Sequence, residues 1–275
     1  MLKQLENQKN VISLEALTPS QTLSALTDRL PGFVSDVKQF LKDLFSTDQE
    51  PAYNFFDTKK LPAEIRLVNY TSLIPLRVYV PAGLKVTYLE YIAAMEQAQA
   101  VVDVLVKETL QPFNRWLAIQ LGNPSNLSQL RSDRDINGFK LHDIEAVKKS
   151  IANCFDSGSV ETETTFGKVF KRGGDWYTTA DTLNGLNNRM LRIDRSVVSE
   201  LTDSIAVNLD VLLKRIDENP EEYKLSGNTL NVIAQMCYNM ARECEFYSVY
   251  YYQLRALFQA FEDSQKKVGE ALNRE

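Results

Sequence analysis

The chain has one histidine, three cysteines, no basic excess and no long apolar run, and each shortage narrows what it can be. With His142 as the sole histidine, a multi-histidine metal site within one chain is ruled out. A catalytic histidine would also need a nucleophile and an orienting acid, and no motif supplies them. Cys154, Cys237 and Cys244 are too few and too badly spaced for a disulfide framework, which fits a reducing compartment. Cys237 and Cys244 are seven apart, two helical turns, beyond the reach of a bridge if that segment is helical. Lys and Arg total 31 against 36 Asp and Glu, a formal charge of −5. A duplex-DNA binder would carry a basic excess, so nucleic acid is not the expected main partner, although a local basic patch would be compatible.

No stretch approaches the roughly 20 apolar residues of a membrane-spanning helix. The N-terminus, MLKQLENQKNVISLEAL, mixes charge with apolar residues and does not read as a secretory signal. Neither GxGxxG nor GxxxxGK[ST] occurs, so no nucleotide cofactor is expected. What is present is ordinary globular composition, 44% apolar and 24% charged in 275 residues, enough for a substantial core.

The patterning is mainly helical. Thr18-Pro19 offers an N-cap and a first-turn proline, and a helical pattern runs to about Phe45, broken at Pro31-Gly32. Residues 46–64 read as an irregular connection. Ile65–Tyr70 and Leu76–Val80 are the strand candidates, kept from a central sheet position by Pro75 and Pro81. Tyr88, Ile92, Met95, Gln99, Val102, Val106, Thr109, Phe113 and Trp116 then form a heptad stripe over 85–121, with Pro112 expected to end or kink the helix near Gln111. A polar loop leads to a shorter helix over 141–155. Within 156–178 the weak alternation of Thr164–Phe170 and the turn signal Arg172-Gly173-Gly174-Asp175 predict a β-hairpin. A helix over 179–217 follows, closed by Asn219-Pro220.

The clearest signal lies in the last segment. Leu230, Ile233, Cys237, Met240, Cys244, Tyr247, Tyr251, Leu254, Phe258 and Phe261 keep a 3-4-3-4 spacing without a miss, and Val268 and Leu272 extend it. Some 45 residues of helix would be about 65–70 Å long. The expected fold is therefore mainly α, an elongated helical bundle with a long heptad-patterned C-terminal helix and a small β-hairpin insertion. The expected organisation is a lead over 1–17, a helical region with short strands over 18–155, the hairpin over 156–178, and a long-helix hairpin over 179–275 packed with the helix at 85–121.

The candidate functional residues are few. Lys168, Lys171 and Arg172 with Phe166, Phe170 and Trp176 form a basic-aromatic cluster that could touch an acidic partner or nucleic acid, or simply be a solvated hairpin tip. Tyr247, Tyr250, Tyr251 and Phe258, in a run that wraps the helix on several faces, could be the bundle centre or an interface with another subunit. His142 reads as a surface or helix-start residue. Asp133, Asp135, Asp143 and Glu145 come nearest to an acidic cluster, but RSDRDINGF lacks calcium-loop spacing and reads as a polar loop.

The segment VISLEAL resembles the propeptide ends of head proteins from large tailed bacteriophages, whose maturation protease cuts after Glu in a small-x-Glu context. The resemblance implies processing at Ser13-Leu14-Glu15, before Ala16. The stretch RVYVPAGLKVTYLEYIAAMEQA is similar to the helical internal virion proteins of such phages. The resemblance thus implies a non-enzymatic virion structural protein of the phage head, acting through helix-mediated assembly with protein partners or itself. The other expectation is a cytoplasmic helical adaptor or scaffold that binds a protein partner. No metal or cofactor is expected in either case.

Overall fold

Thr87 opens the first long helix for a local reason. Its hydroxyl accepts the Glu90 N–H at 3.2 Å while the Glu90 carboxylate accepts the Thr87 N–H at 2.8 Å, a reciprocal capping box. The structure, a computed structural model, describes residues 70–122, 127, 129–193, 195–219 and 227–273. Its elements are α1 (Tyr70–Leu73), β1 (Arg77–Tyr79), α2 (Tyr88–Val104), a π-helical turn (Leu105–Leu110), α3 (Gln111–Gly122), α4 (Ile144–Ala152), β2 (Glu163–Thr165), α5 (Phe166–Val169), α6 (Gly173–Leu191), α7 (Arg195–Glu218) and α8 (Gly227–Leu272). The fold is mainly α, as expected. The expected processing site, the helices over 18–45 and most of the first strand candidate lie outside the described residues; Tyr70 itself begins α1.

The described residues fall into two compact units. One takes them from Lys107–Lys140 and Val197–Ala241, the other from Ser46–Val106, Leu141–Ser196 and Arg242–Glu275. Both are assembled from stretches distant in sequence, so they do not follow the consecutive segments expected. In the first unit, α3 and α7 run in the same direction. Asn114 accepts from Ser204 and Asn208, and Arg215 donates to the Leu121 carbonyl at 2.6 Å.

Pro112 does not end its helix. A proline removes one N–H and crowds the carbonyl four residues back. Here that carbonyl belongs to Glu108, inside the π turn, and it accepts the Lys140 N–H at 2.7 Å instead. Thr109 donates to the Lys140 carbonyl at 2.8 Å, so the polar loop is stitched to the turn that the proline opened.

In the second unit α2 packs against α6 and α4. The expected hairpin within 156–178 is corrected. Only 163–165 is strand, and it pairs antiparallel with Arg77–Tyr79, Val78 opposite Thr164. The ladder continues at both ends, through Phe166 N–H to the Leu76 carbonyl and Val80 N–H to the Thr162 carbonyl. Gly83 lies where the 156–161 segment crosses the chain: its φ is +74°, and a Cβ there would stand 2.8 Å from the Ser159 carbonyl oxygen. The predicted turn Arg172–Asp175 is instead a helix start. The Asp175 carboxylate accepts the N–H groups of Lys171 and Arg172 at 2.8 and 2.9 Å, so α6 begins at Gly173 rather than near Thr179.

The single helix expected over 179–217 is likewise two. The end of α6 tightens, Arg192 and Ile193 N–H bonding the carbonyls three residues back, and α7 starts at Arg195. No glycine or proline marks the break in sequence.

The long C-terminal helix is present at 46 residues. Ile233, Cys237, Met240, Cys244, Tyr247, Tyr251, Leu254, Phe258, Phe261 and Val268 are all buried. Met236, Phe246, Tyr250 and Leu257 are buried as well, so the apolar face is broader than a two-stranded seam requires. At the centre of the second unit Trp176 lies 4.7 Å from Phe261, 5.1 Å from Phe170 and 5.6 Å from Phe166, ring centre to ring centre. Tyr88 stacks on Phe170 at 5.1 Å. This joins α2, α5, α6 and α8 through one aromatic cluster.

Candidate functional site

The expected basic-aromatic patch is taken apart by burial. Lys168, Lys171 and Arg172 are exposed, but Trp176 is 1% exposed and Phe166 and Phe170 are fully buried. None of these three rings offers a face beside the cations on which a base could stack. The reason is the α5 turn and the early start of α6, which fold all three rings inward. The proposed interface residues meet the same correction: Tyr247, Tyr250, Tyr251 and Phe258 belong to the core of this chain.

What the long helix does present outward is a neighbouring strip. Val249 is 43% and Tyr252 41% exposed, and Ala256 is exposed too, at spacings of three and four that share one face. The Tyr252 ring meets Tyr251 edge-on at 5.9 Å, which holds it in place.

His142 takes the helix-start alternative, standing just ahead of Asp143, the N-cap of α4, rather than out on the surface. Its side chain is only 11% exposed and that of Glu243 only 2%. The Glu243 carboxylate accepts the His142 backbone N–H at 2.5 Å, with the ring Nδ1 3.4 Å from its second oxygen. Asp143 then accepts the Glu145 N–H to cap α4. Beside the pair, Arg242 bonds Glu145. Glu243 could not have been singled out from sequence, being one acid among apolar heptad neighbours.

A second polar path, buried at Tyr250 and Gln99 and open to solvent at Asp103 and Arg189, crosses three helices. The Tyr250 hydroxyl donates to Gln99 Oε1 at 2.6 Å, the Gln99 amide donates to Asp103 at 2.6 Å, and Asp103 accepts Arg189 Nε at 3.0 Å. Burial pushes the Tyr250 hydroxyl well above the usual phenol range, so it stays a donor. The one forewarning in sequence was Gln99, a polar residue in an otherwise largely apolar stripe.

A third constellation lies at the ribbon. Lys267 bonds Glu163 at 2.6 Å and sits 3.9 Å from the centre of the Tyr79 ring. The Lys267 hydrogen bond holds the Glu163 carboxyl below its ordinary range, and the same bond raises the lysine. Ser264 accepts the Tyr79 N–H at 3.0 Å.

The polar loop engages its acids locally. Asp135 accepts the N–H groups of Arg131 and Ser132 at 2.7 and 2.8 Å, and these bonds hold its carboxyl down. Among the described residues no group of three His, Cys, Asp or Glu side chains is placed to hold a metal ion. All three cysteines are buried thiols; burial pushes Cys237 up to about 12 and raises Cys244 further. No helix among the described residues is long and apolar enough to cross a membrane. No protein-family model, curated protein or solved structure matches the chain.

Proposed function

We propose that this chain is a non-enzymatic structural protein, an internal head protein of a large tailed phage, acting through helix-mediated assembly. The observation that carries the assembly half of the reading is the strip Val249–Tyr252–Ala256 on a helix whose opposite face is already committed to the core. A helix packed on one side and carrying this apolar strip on the other offers a second protein a contact of about two turns. The virion half rests on the resemblance around Ser13-Leu14-Glu15 and the 77–98 stretch. His142 and Glu243 engaging each other inside the unit supports a structural role for both.

Two measurements test the halves separately. Light scattering of the wild type against Val249→Glu/Tyr252→Glu should show an assembly that the variant loses while its helicity holds. A wild type that stays monomeric at high concentration refutes self-assembly through this strip. Mass spectrometry of the protein recovered from purified particles should find a chain that begins at Ala16. Absence from particles, with an intact Met1 chain in cell extract, replaces the virion reading with a cytoplasmic adaptor using the same strip.

A further inference from the structure

Glu243, Tyr250 and Ser264 occupy one column of the long helix, at intervals of seven and fourteen residues. Each is buried, 3%, 0% and 0% exposed. Each bonds a different element: Glu243 the backbone N–H of His142 ahead of α4, Tyr250 the amide of Gln99 on α2, and Ser264 the backbone of Tyr79 on β1. All lie within one unit of the fold.

The apolar stripe beside this column opposes an axial slide by shape alone, chiefly where Leu254 or Val268 would replace Phe261 against Trp176. A slide of seven residues puts Tyr251 where Cys244 was, Leu254 in place of Tyr247, Phe258 in place of Tyr251 and Phe261 in place of Leu254. Apolar would still meet apolar. The column reads the other way: the same slide brings Met236 or Tyr250 to the Glu243 position, Glu243 or Leu257 to that of Tyr250, and Leu257 or Ala271 to that of Ser264. In either direction the slide leaves Gln99 and Tyr79 without their bonds or sets the Glu243 carboxylate against Gln99. Buried polar groups at single heptad positions are the best-attested means of selecting one register over its neighbours.

We infer that Glu243, Tyr250 and Ser264 are register pins, which set the axial position of α8 against α2, β1 and the start of α4. This goes beyond any partner the chain binds and stands independently of it. A slipped helix would be displaced by about 10 Å along its axis, seven residues at 1.5 Å each.

The test is a distance. Nitroxide labels are attached at Asp181→Cys on α6 and Ala256→Cys on α8, both exposed in the second unit, while the native cysteines are buried. In the full chain with native pins, pulsed electron resonance should give one distance. The apolar variant Glu243→Met/Tyr250→Phe/Ser264→Ala should keep its helicity and show a second population whose distance differs by up to about 10 Å. One unchanged distance in that folded variant overturns the inference. Should it fail to fold, Tyr250→Phe/Ser264→Ala combined with Leu257→Tyr replaces it, offering Gln99 its hydroxyl only in the slipped register. That variant should populate the slipped distance, and a single native distance overturns the inference equally.

Discussion

Replacing Phe261 with alanine tests whether the aromatic cluster is the mechanical centre of its unit. Phe261 is fully buried, with its ring centre 4.7 Å from Trp176, 5.7 Å from Tyr88 and 6.0 Å from Phe170. Truncating a buried phenylalanine costs about 3–5 kcal/mol, the spread reflecting how far the site can collapse. Rigid rings line this site on several sides and cannot easily swing in. The edge and tilted pairs each carry roughly 0.5–1.5 kcal/mol beyond burial, which places the expectation at the upper end, about 4–5 kcal/mol. Against a typical total of about 5–15 kcal/mol, that is a severe loss. The assay is guanidinium unfolding followed by Trp176 fluorescence in a Trp116→Phe background, so that the probe touches the substituted ring. The midpoint should fall sharply and Trp176 should become more accessible to a soluble quencher. A loss below about 1 kcal/mol with unchanged slope refutes the reasoning.

Further outcomes follow from other parts of the fold. Stability should decline with rising pH from about pH 9 upward, measured by denaturation at constant ionic strength. Burial raises the folded-state values of Cys237, Tyr88 and Tyr250 above the unfolded ones, so the unfolded chain releases protons first; the stabilisation is complete below the unfolded values and lost toward the folded ones. A flat profile from pH 8 to 11 would contradict the burial of these groups. Pro112→Ala should alter stability by less than about 1 kcal/mol, because the Glu108 carbonyl already has Lys140; a gain near the roughly 3 kcal/mol of an ordinary mid-helix proline would show that the π turn is strained. Glu243→Leu should lose about 1–3 kcal/mol in urea, the penalty of leaving the His142 N–H buried without its acceptor, and a neutral effect would count against that bond.

The long helices were legible because a period of 3.6 is a local property of sequence, and burial of the heptad residues from Ile233 to Phe261 follows from it. The hairpin and the single helix over 179–217 misled for opposite reasons. Arg172-Gly173-Gly174-Asp175 carries turn residues, yet an aspartate three places after Arg172 is also a helix cap, and composition alone does not choose between them. At Arg192–Ile193 the chain breaks a helix with no breaker residue. The tyrosine run posed a different ambiguity. All-round apolarity says that several faces are covered, not whether the cover comes from the same chain, and here the same chain supplies it.

The pins explain why the functional geometry was harder to read than the fold. Gln99 meets Tyr250 across 151 positions, His142 meets Glu243 across 101, and Tyr79 meets Ser264 across 185. No local window contains both partners of any pair. Within the helix alone, Glu243 and Ser264 look like surface residues that happen to fall on an apolar face. A buried polar group with no local partner costs stability, so its presence in a heptad column is itself information: a distant acceptor or donor must exist. Gln99 in the α2 stripe was one such demand legible in the sequence; that of Glu243 emerges only with the fold. The fold resolves them with different elements, which is why removing one pin should cost stability alone while removing the set should cost alignment.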